Sequence, residues 1–568
     1  MMVVTVLLGG LITALTYAYL RIFYRRRKPG EPPIVHGHFL LGNSLPFTEN
    51  AVNFLNKSRD KVGDVFTFRL LNKYWTMVLD IHSYELFVKE KNFDFKPIEE
   101  MVNNNVFGYH LVDGRKMVAE AGQKVSGKYL FATVETFAKN LIEAFKQTSK
   151  QTDNCSRRKN ITAINQKNTE MKIDKQEVHH SGECGSIADS ELFIDSGLNQ
   201  QPGLPTGEVG PGAGVWCQDE LRNFTSKIFF SPVFYTIFGR GDTGSSGSFH
   251  PQVVHKNFDL FHKYFNFLLF GLPIKLFPKA MEAVGVLAQQ PSSAEMVNRN
   301  GCSDYIKHST QFMLKNNQSE RDIICHNLIF LHINYNTFRV AYWCLYKLME
   351  DDVVMAAVKK EVEDVVEAKR TGANEAEYEA EFTADDINKL PIVDSFLNEI
   401  MRVMCGVLIA RECTADTKFT TVDGRTFNIR QGDRIAMYPP VFHHDPEVFQ
   451  DPETFKYDRF VDAEFFKHGV RVKHPMTGFG SLCFGQKLAM LQLKWFIINV
   501  VNSFKVELLN GERTLPNKTM YGHEILPPTH DVKCRFIPRE RACTLKFLNN
   551  YGSNGSRQLN GTSSGSVL

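Results

Sequence analysis

Cys483 lies in the stretch Gly478-Phe-Gly-Ser-Leu-Cys-Phe-Gly-Gln-Lys-Leu-Ala489, downstream of Glu399-x-x-Arg402 and of Asp458-Arg459-Phe460. Glu399 and Arg402, three residues apart in a helical pattern, share one helix face and can pair. On its own such a pair is usually a solvated surface feature. Here the neighbours Phe396, Leu397 and Ile400 are apolar. They predict a buried helix, where an unpartnered ion is costly. Arg459 is the candidate third partner. Two arginines on one carboxylate would fix the loop that carries Arg459, so the fold must bring that loop against the helix of Glu399 and Arg402.

The rest of the chain suits a large apolar interior around that point. It has 568 residues, 43% apolar and 12% aromatic, with 45 Phe, enough for one big core and a buried cavity. The net charge is +3 and the basic residues are dispersed, which argues against nucleic acid as a partner. Eleven cysteines without a C-x-x-C pair suggest neither a disulfide framework nor a structural zinc site. A reducing, cytosol-facing body follows.

Residues 1–28 read as a transmembrane anchor and its basic flank. Met1 to Leu20 carries no charge and is long enough to span a bilayer, and Arg21, Arg25, Arg26, Arg27 and Lys28 follow, which orients the body to the cytosol. A cleaved signal would need a positive segment in front, and there is none. Pro29 to Pro33 reads as a stiff spacer.

Val65–Leu70 and Trp75–Leu79 alternate as strands, forming a hairpin around Asn72 to Tyr74. Residues 150–215 are polar and Gly-rich and read as a disordered insertion; 549–568 reads as a flexible tail. Helical periodicity marks Ile323–Met349, Val353–Lys369 and Ala384–Val403, and short strands with turn signals fill Thr414–Tyr438. The expected class is mainly α with small β-sheets.

The ordered set Glu399, Arg402, Pro452-Glu-Thr-Phe455, Asp458-Arg459-Phe460, Phe479-Gly480 and Cys483-x-Gly485-x-x-x-Ala489 resembles the cytochrome P-450 haem-thiolate proteins. Gly424 to Arg430, Gly432 to Pro439, Phe455 to Phe460 and Leu526 to Val532 look like the branch of prostacyclin synthase and the sterol 7-alpha and 12-alpha hydroxylases. The resemblance covers nearly the whole chain outside the insertion and the tail. It implies one haem-thiolate domain over 29–548 and an endoplasmic-reticulum protein acting on lipids.

For site residues, the resemblance implies haem b with Cys483 as the axial thiolate, a ligand that pushes electron density onto iron. Phe479 and Gly485 would belong to its loop, and Gly485 would allow the close turn into the next helix. Arg411, after Val407-Leu-Ile-Ala410, matches a haem-propionate partner; the bland reading is a solvated strand end. On the distal side, Asn336-Thr337 matches the pair that the sterol hydroxylases carry over haem. Locally, Thr337 could instead bond the Ile333 carbonyl one turn back. His332 and Arg339 in the same helix stand out as peculiar to this chain.

Gly480 and Cys483 enclose only Ser481 and Leu482, three residues fewer than the resemblance implies. Either the loop takes a tighter path, or the gene sequence has lost a short stretch there, or haem is no longer bound normally; the bland alternative is a buried structural cysteine. The expected activity is hydroxylation of a sterol-like or other lipid with O2 and electrons from NADPH through NADPH-cytochrome P-450 reductase. One rival is an endoperoxide isomerase that needs neither reductase nor O2. The other is a non-catalytic, membrane-tethered lipid-binding protein that has lost haem.

Overall fold

The computed structural model describes residues 9–10, 12–14, 16–17, 25–176, 216–241, 249–371, 379–479, 483, 485–520, 522, 525–540 and 542–549. The chain is mainly helical, about 53%, with small sheets. Most of the expected anchor lies outside the described residues, as does the tail from 550 on. Among the described residues no helix is long and apolar enough to cross a membrane.

Six short strands form the largest sheet: β1 (Ile34–Val35), β2 (Val65–Leu70), β3 (Lys73–Val78), β4 (Phe93–Asp94), β5 (Ile409–Cys413) and β6 (Arg434–Met437), in the order β1-β2-β3-β6-β5-β4. β2 and β3 are the expected hairpin, antiparallel with Val65 opposite Val78. The turn is tighter than expected: Leu71 and Asn72 make it, with Leu71 at φ 51°, and Lys73 and Tyr74 join the strand. β6 runs parallel to β3 and antiparallel to β5, which sets Ile435 beside Arg411. The sheet carries its own core of Phe66, Phe68, Trp75, Met77 and Phe87.

Four helices build the site. α1 is Pro251–His262, α2 Glu320–Glu350, α3 Pro391–Met404 and α4 Gln486–Ser503. α2 starts with a Ser319/Asp322 capping box, which satisfies its first orphan N–H groups from both ends. Trp343 Nε1 donates to the Leu526 carbonyl at 2.8 Å, and Tyr346 accepts from the Thr514 N–H at 3.1 Å, so α2 is riveted to the C-terminal loop. α4 is buried around most of its circumference, as a helix through the middle of a core must be.

The periodicity over Ala384–Val403 resolves into two helices, Ala384–Ile387 and α3. Pro391 stands in the first turn of α3, where its missing N–H costs nothing, and it disfavours helical backbone in Leu390. The helix Gly127–Gln176 continues into the stretch expected to be disordered, and 177–215 lies outside the described residues.

Arg25, read with the basic flank, is packed on the body. Its N–H donates to Tyr74 Oη at 2.7 Å, its guanidinium bonds Asp433, and Glu31 lies 3.4 Å away. Burial alone would raise the Glu31 carboxyl; the Arg430 hydrogen bond, the Lys28 N–H and the Arg25 charge outweigh it and hold the pKa at about 2.

Candidate active site

Glu399, Arg402 and Arg459 are brought together in the core. Arg402 donates from Nε to Glu399 Oε2 at 2.7 Å and from Nη2 to Oε1 at 2.8 Å, while Arg459 Nε reaches both oxygens at 3.0–3.1 Å. Glu399 and Arg402 are fully buried. Sequence reasoning missed two further members: the Lys456 N–H donates to Glu399 at 3.0 Å, and Arg402 Nη1 donates to the His443 carbonyl at 2.6 Å. Arg459 spends its remaining donors on the carbonyls of Gln450, Asp451 and Thr454. One carboxylate thereby ties α3 to the whole 450–459 loop.

His443 itself is fully buried, and its Nδ1 has no hydrogen-bond partner among the described residues. Burial, then the neighbouring Arg402 charge, push its pKa down to about 3. His255 and His326 are likewise held at about 4, mainly by burial. Below pH 6.5 the unfolded chain binds protons at these rings that the folded chain refuses, so stability falls on acidification. Each ring contributes about 1.4 kcal/mol per pH unit between its folded pKa and 6.5. We expect His443→Gln to flatten the fall in unfolding free energy between pH 6.5 and 5 by about that amount per unit. Denaturant titrations across that range check it; an unchanged slope contradicts it.

Cys483 stands exposed just before α4, with its carbonyl accepting from the Gln486 N–H at 3.3 Å. The reading as a buried structural cysteine is therefore corrected. A Cβ at Gly485, the N-cap of α4, would lie 4.0 Å from the Cys483 sulfur, which places that sulfur against the helix start. N–H groups and the positive end of the dipole there favour a thiolate. Phe479 is partly buried against the main core. Gly480 to Leu482 and Phe484 lie outside the described residues, so the path of the shortened loop does as well.

Arg411, on β5, is buried between the rings of Phe87 at 6.0 Å and Phe95 at 5.2 Å, with Nη1 on the Ala410 carbonyl at 2.8 Å. The solvated strand end is therefore excluded. Burial lowers its pKa, against smaller opposing effects from Tyr84 and Asp94.

On α2, Thr337 is only 8% exposed, and among the described residues its hydroxyl makes no hydrogen bond. The alternative local bond from Thr337 to the Ile333 carbonyl is not formed among the described residues. Asn334 makes that kind of bond instead, to the Phe330 carbonyl at 2.8 Å. Ile333, one turn before Thr337, is 43% exposed although it lies mid-helix among buried residues, and Asn336 is partly buried. The middle of α2 is thus exposed at Ile333 and partly exposed at Asn334 and Asn336, with Thr337 buried beside them.

A cysteine at a helix start, a buried arginine and a clamped loop are residue types that a haem-thiolate site would use. By residue type the donor set is compatible with haem: a soft sulfur suits iron and a buried cation suits a propionate. The cytochrome P450 family profile matches residues 218–534, and this chain belongs to that family, an oxidoreductase one.

Similar curated proteins include cytochrome P450 7A1 of Rattus norvegicus, 25% identical over 94% of this chain and 99% of the relative. Cholesterol 7-alpha-monooxygenase of Cricetulus griseus is 26% identical over 90% and 94%. The 7-alpha-hydroxycholest-4-en-3-one 12-alpha-hydroxylase of Oryctolagus cuniculus is 25% identical over 94% and 99%.

Proposed function

We propose that this chain is a monooxygenase that hydroxylates a sterol or a sterol-like lipid, with electrons passed from NADPH by a membrane-bound reductase docking on the Cys483 side. The observation that carries the reading is similarity along nearly the full length to enzymes named as sterol 7-alpha and 12-alpha hydroxylases. Haem held by Cys483 would supply O2 activation and insertion of one oxygen atom.

The chain's own residues do the rest. The start of α4 stabilises the Cys483 sulfur as an anion. Arg411 would anchor a propionate, its aromatic neighbours keeping water from the pair. The Thr337 hydroxyl, without a protein partner among the described residues, holds a water and passes protons toward the distal side, and Asn336 orients that water as a neutral donor and acceptor.

Thr337→Ala leaves sterol binding near wild type and diverts electrons to hydrogen peroxide. Product formed per NADPH falls at least about tenfold, in line with the size of a lost acid-base group. Parallel assays of NADPH, peroxide and sterol product check this. Conversion of a lipid endoperoxide without NADPH, indifferent to Thr337→Ala, would favour the isomerase reading instead.

The uncharged Met1 to Leu20 supports a single-pass anchor in the endoplasmic reticulum with a cytosolic body. The full chain then stays in microsomal membranes through alkaline carbonate washing, with its body open to added protease. A soluble lumenal product with a cleaved N-terminus contradicts this topology.

A further inference from the structure

His443 closes the short helix Pro439–His443 and is bonded to two other segments. Its carbonyl accepts from Arg402 Nη1 at 2.6 Å, which joins it to the Glu399 clamp. Its ring serves a different partner: Nε2 accepts from the Thr477 N–H at 3.4 Å. Only five residues, Gly478 to Leu482, separate Thr477 from Cys483. Six peptide steps span at most about 20 Å, so the place of Thr477 bounds where the sulfur can go.

The start of this loop is packed on the end of α3 as well. A Cβ at Gly478 would lie 3.5 Å from the sulfur of Cys405, the C-cap of α3, and 3.8 Å from His443 Cε1, so the Gly478 backbone runs against both. His443 is fully buried and Thr477 is 1% exposed. Phe449 stands edge-on to the His443 ring at 6.4 Å and 87°, with the Arg402 guanidinium 5.2 Å over the Phe449 ring.

A backbone N–H can only donate, so Nε2 accepts, and in a ring left uncharged by burial the proton sits on Nδ1. That N–H finds no acceptor among the described residues. A half-satisfied imidazole in a core is a cost that leucine, not far from it in volume, would not carry. Filling space therefore does not explain the residue. Among the described residues, the hydrogen bond that its ring makes is the one to Thr477.

We infer that His443 is a positioning residue for the cysteine-bearing loop: its Nε2 straps Thr477, and through Thr477 it sets the origin from which Cys483 reaches the iron. This rests on the haem-thiolate reading of Cys483 and goes beyond it by tying the fixed end of the loop to the Glu399 clamp.

The test compares His443→Gln, whose side-chain oxygen can take the place of Nε2, with His443→Leu and with His443→Asn, which is polar but too short to reach Thr477. Two quantities are read on the full chain. One is amide hydrogen exchange at Thr477, with and without haem, resolved by mass spectrometry of overlapping peptides. The other is the share of bound haem that gives the red-shifted thiolate band when reduced and CO-bound. In His443→Leu and His443→Asn the Thr477 amide exchanges about tenfold faster than in wild type, the factor that one net hydrogen bond supplies, and about half or more of the thiolate band passes to the unshifted one. His443→Gln keeps both near wild type. A residue that only fills space would change haem content or melting temperature and leave both readings alone. Equal readings in all three variants, or faster exchange with an unchanged band share, overturn the inference. If His443→Leu does not fold, His443→Asn carries the comparison. A wild type without the thiolate band sinks the haem reading, and the exchange ratio then decides the strap by itself: about tenfold upholds it and unity ends it.

Discussion

Cys483→Ser abolishes the red-shifted Soret band that the reduced, CO-bound wild-type protein gives. The argument runs from position and chemistry together. Cys483 is exposed at the start of an 18-residue core helix, its sulfur against the N-cap glycine. There a thiolate is stabilised by unsatisfied N–H groups and by the helix dipole. A serine hydroxyl does not ionise in the same setting and is a hard, weak ligand for iron, so the thiolate signature is lost whole. The reduced-CO difference spectrum of purified wild type and variant decides it. If wild type itself takes up no haem, the shortened segment between Gly480 and Cys483 is the first cause to test. Restoring three residues there then recovers the band. Failure of both experiments would favour the non-catalytic, lipid-binding reading.

Glu399→Ala removes folded, haem-loaded protein. One carboxylate accepts from two guanidinium groups and a backbone N–H, in a place with no access to water. Its removal leaves Arg402 fully buried with its main counter-charge gone. Breaking a buried pair from one side costs about 3 to 5 kcal/mol, against a total stability of about 5 to 15 kcal/mol for a typical domain. The loss spreads, because Arg459 is also the rivet for the carbonyls of Gln450, Asp451 and Thr454. Glu399→Gln keeps the shape and some acceptor capacity, so it falls between wild type and alanine. Soluble yield, haem content and melting temperature report the order; a near-normal Glu399→Ala contradicts the clamp.

Much of this was legible in the amino-acid order, because the relevant physics is local or carried by residue type. The i, i+3 spacing of Glu399 and Arg402 among Phe396, Leu397 and Ile400 encodes a buried pair on one helix face. The 3.6-residue periodicity of 323–349 encodes α2 to within a few residues of its ends, since burial of an apolar face repeats with the helix turn. Alternation encodes β2 and β3, although a side chain in left-handed backbone at Leu71 gives no such signal, and the turn was displaced accordingly. Pro391 was a visible helix start that periodicity alone ran across.

Tertiary structure decided which groups meet when chain separation is long. The His443 carbonyl lies 41 residues from Arg402, and the Ile525 carbonyl 186 from Arg339. Backbone acceptors carry no residue signature, so no pattern could have nominated them. The same holds for His332, whose ring meets that of His262 70 residues away, and for Arg25, whose guanidinium bonds Asp433 408 residues away. The sequence by itself determined the family and the Glu399 clamp, because those are matters of residue type at short spacing. Only the folded chain determined how the buried charges are shared and which face of α2 is open, because both depend on what packs against each group, and that is a property of topology.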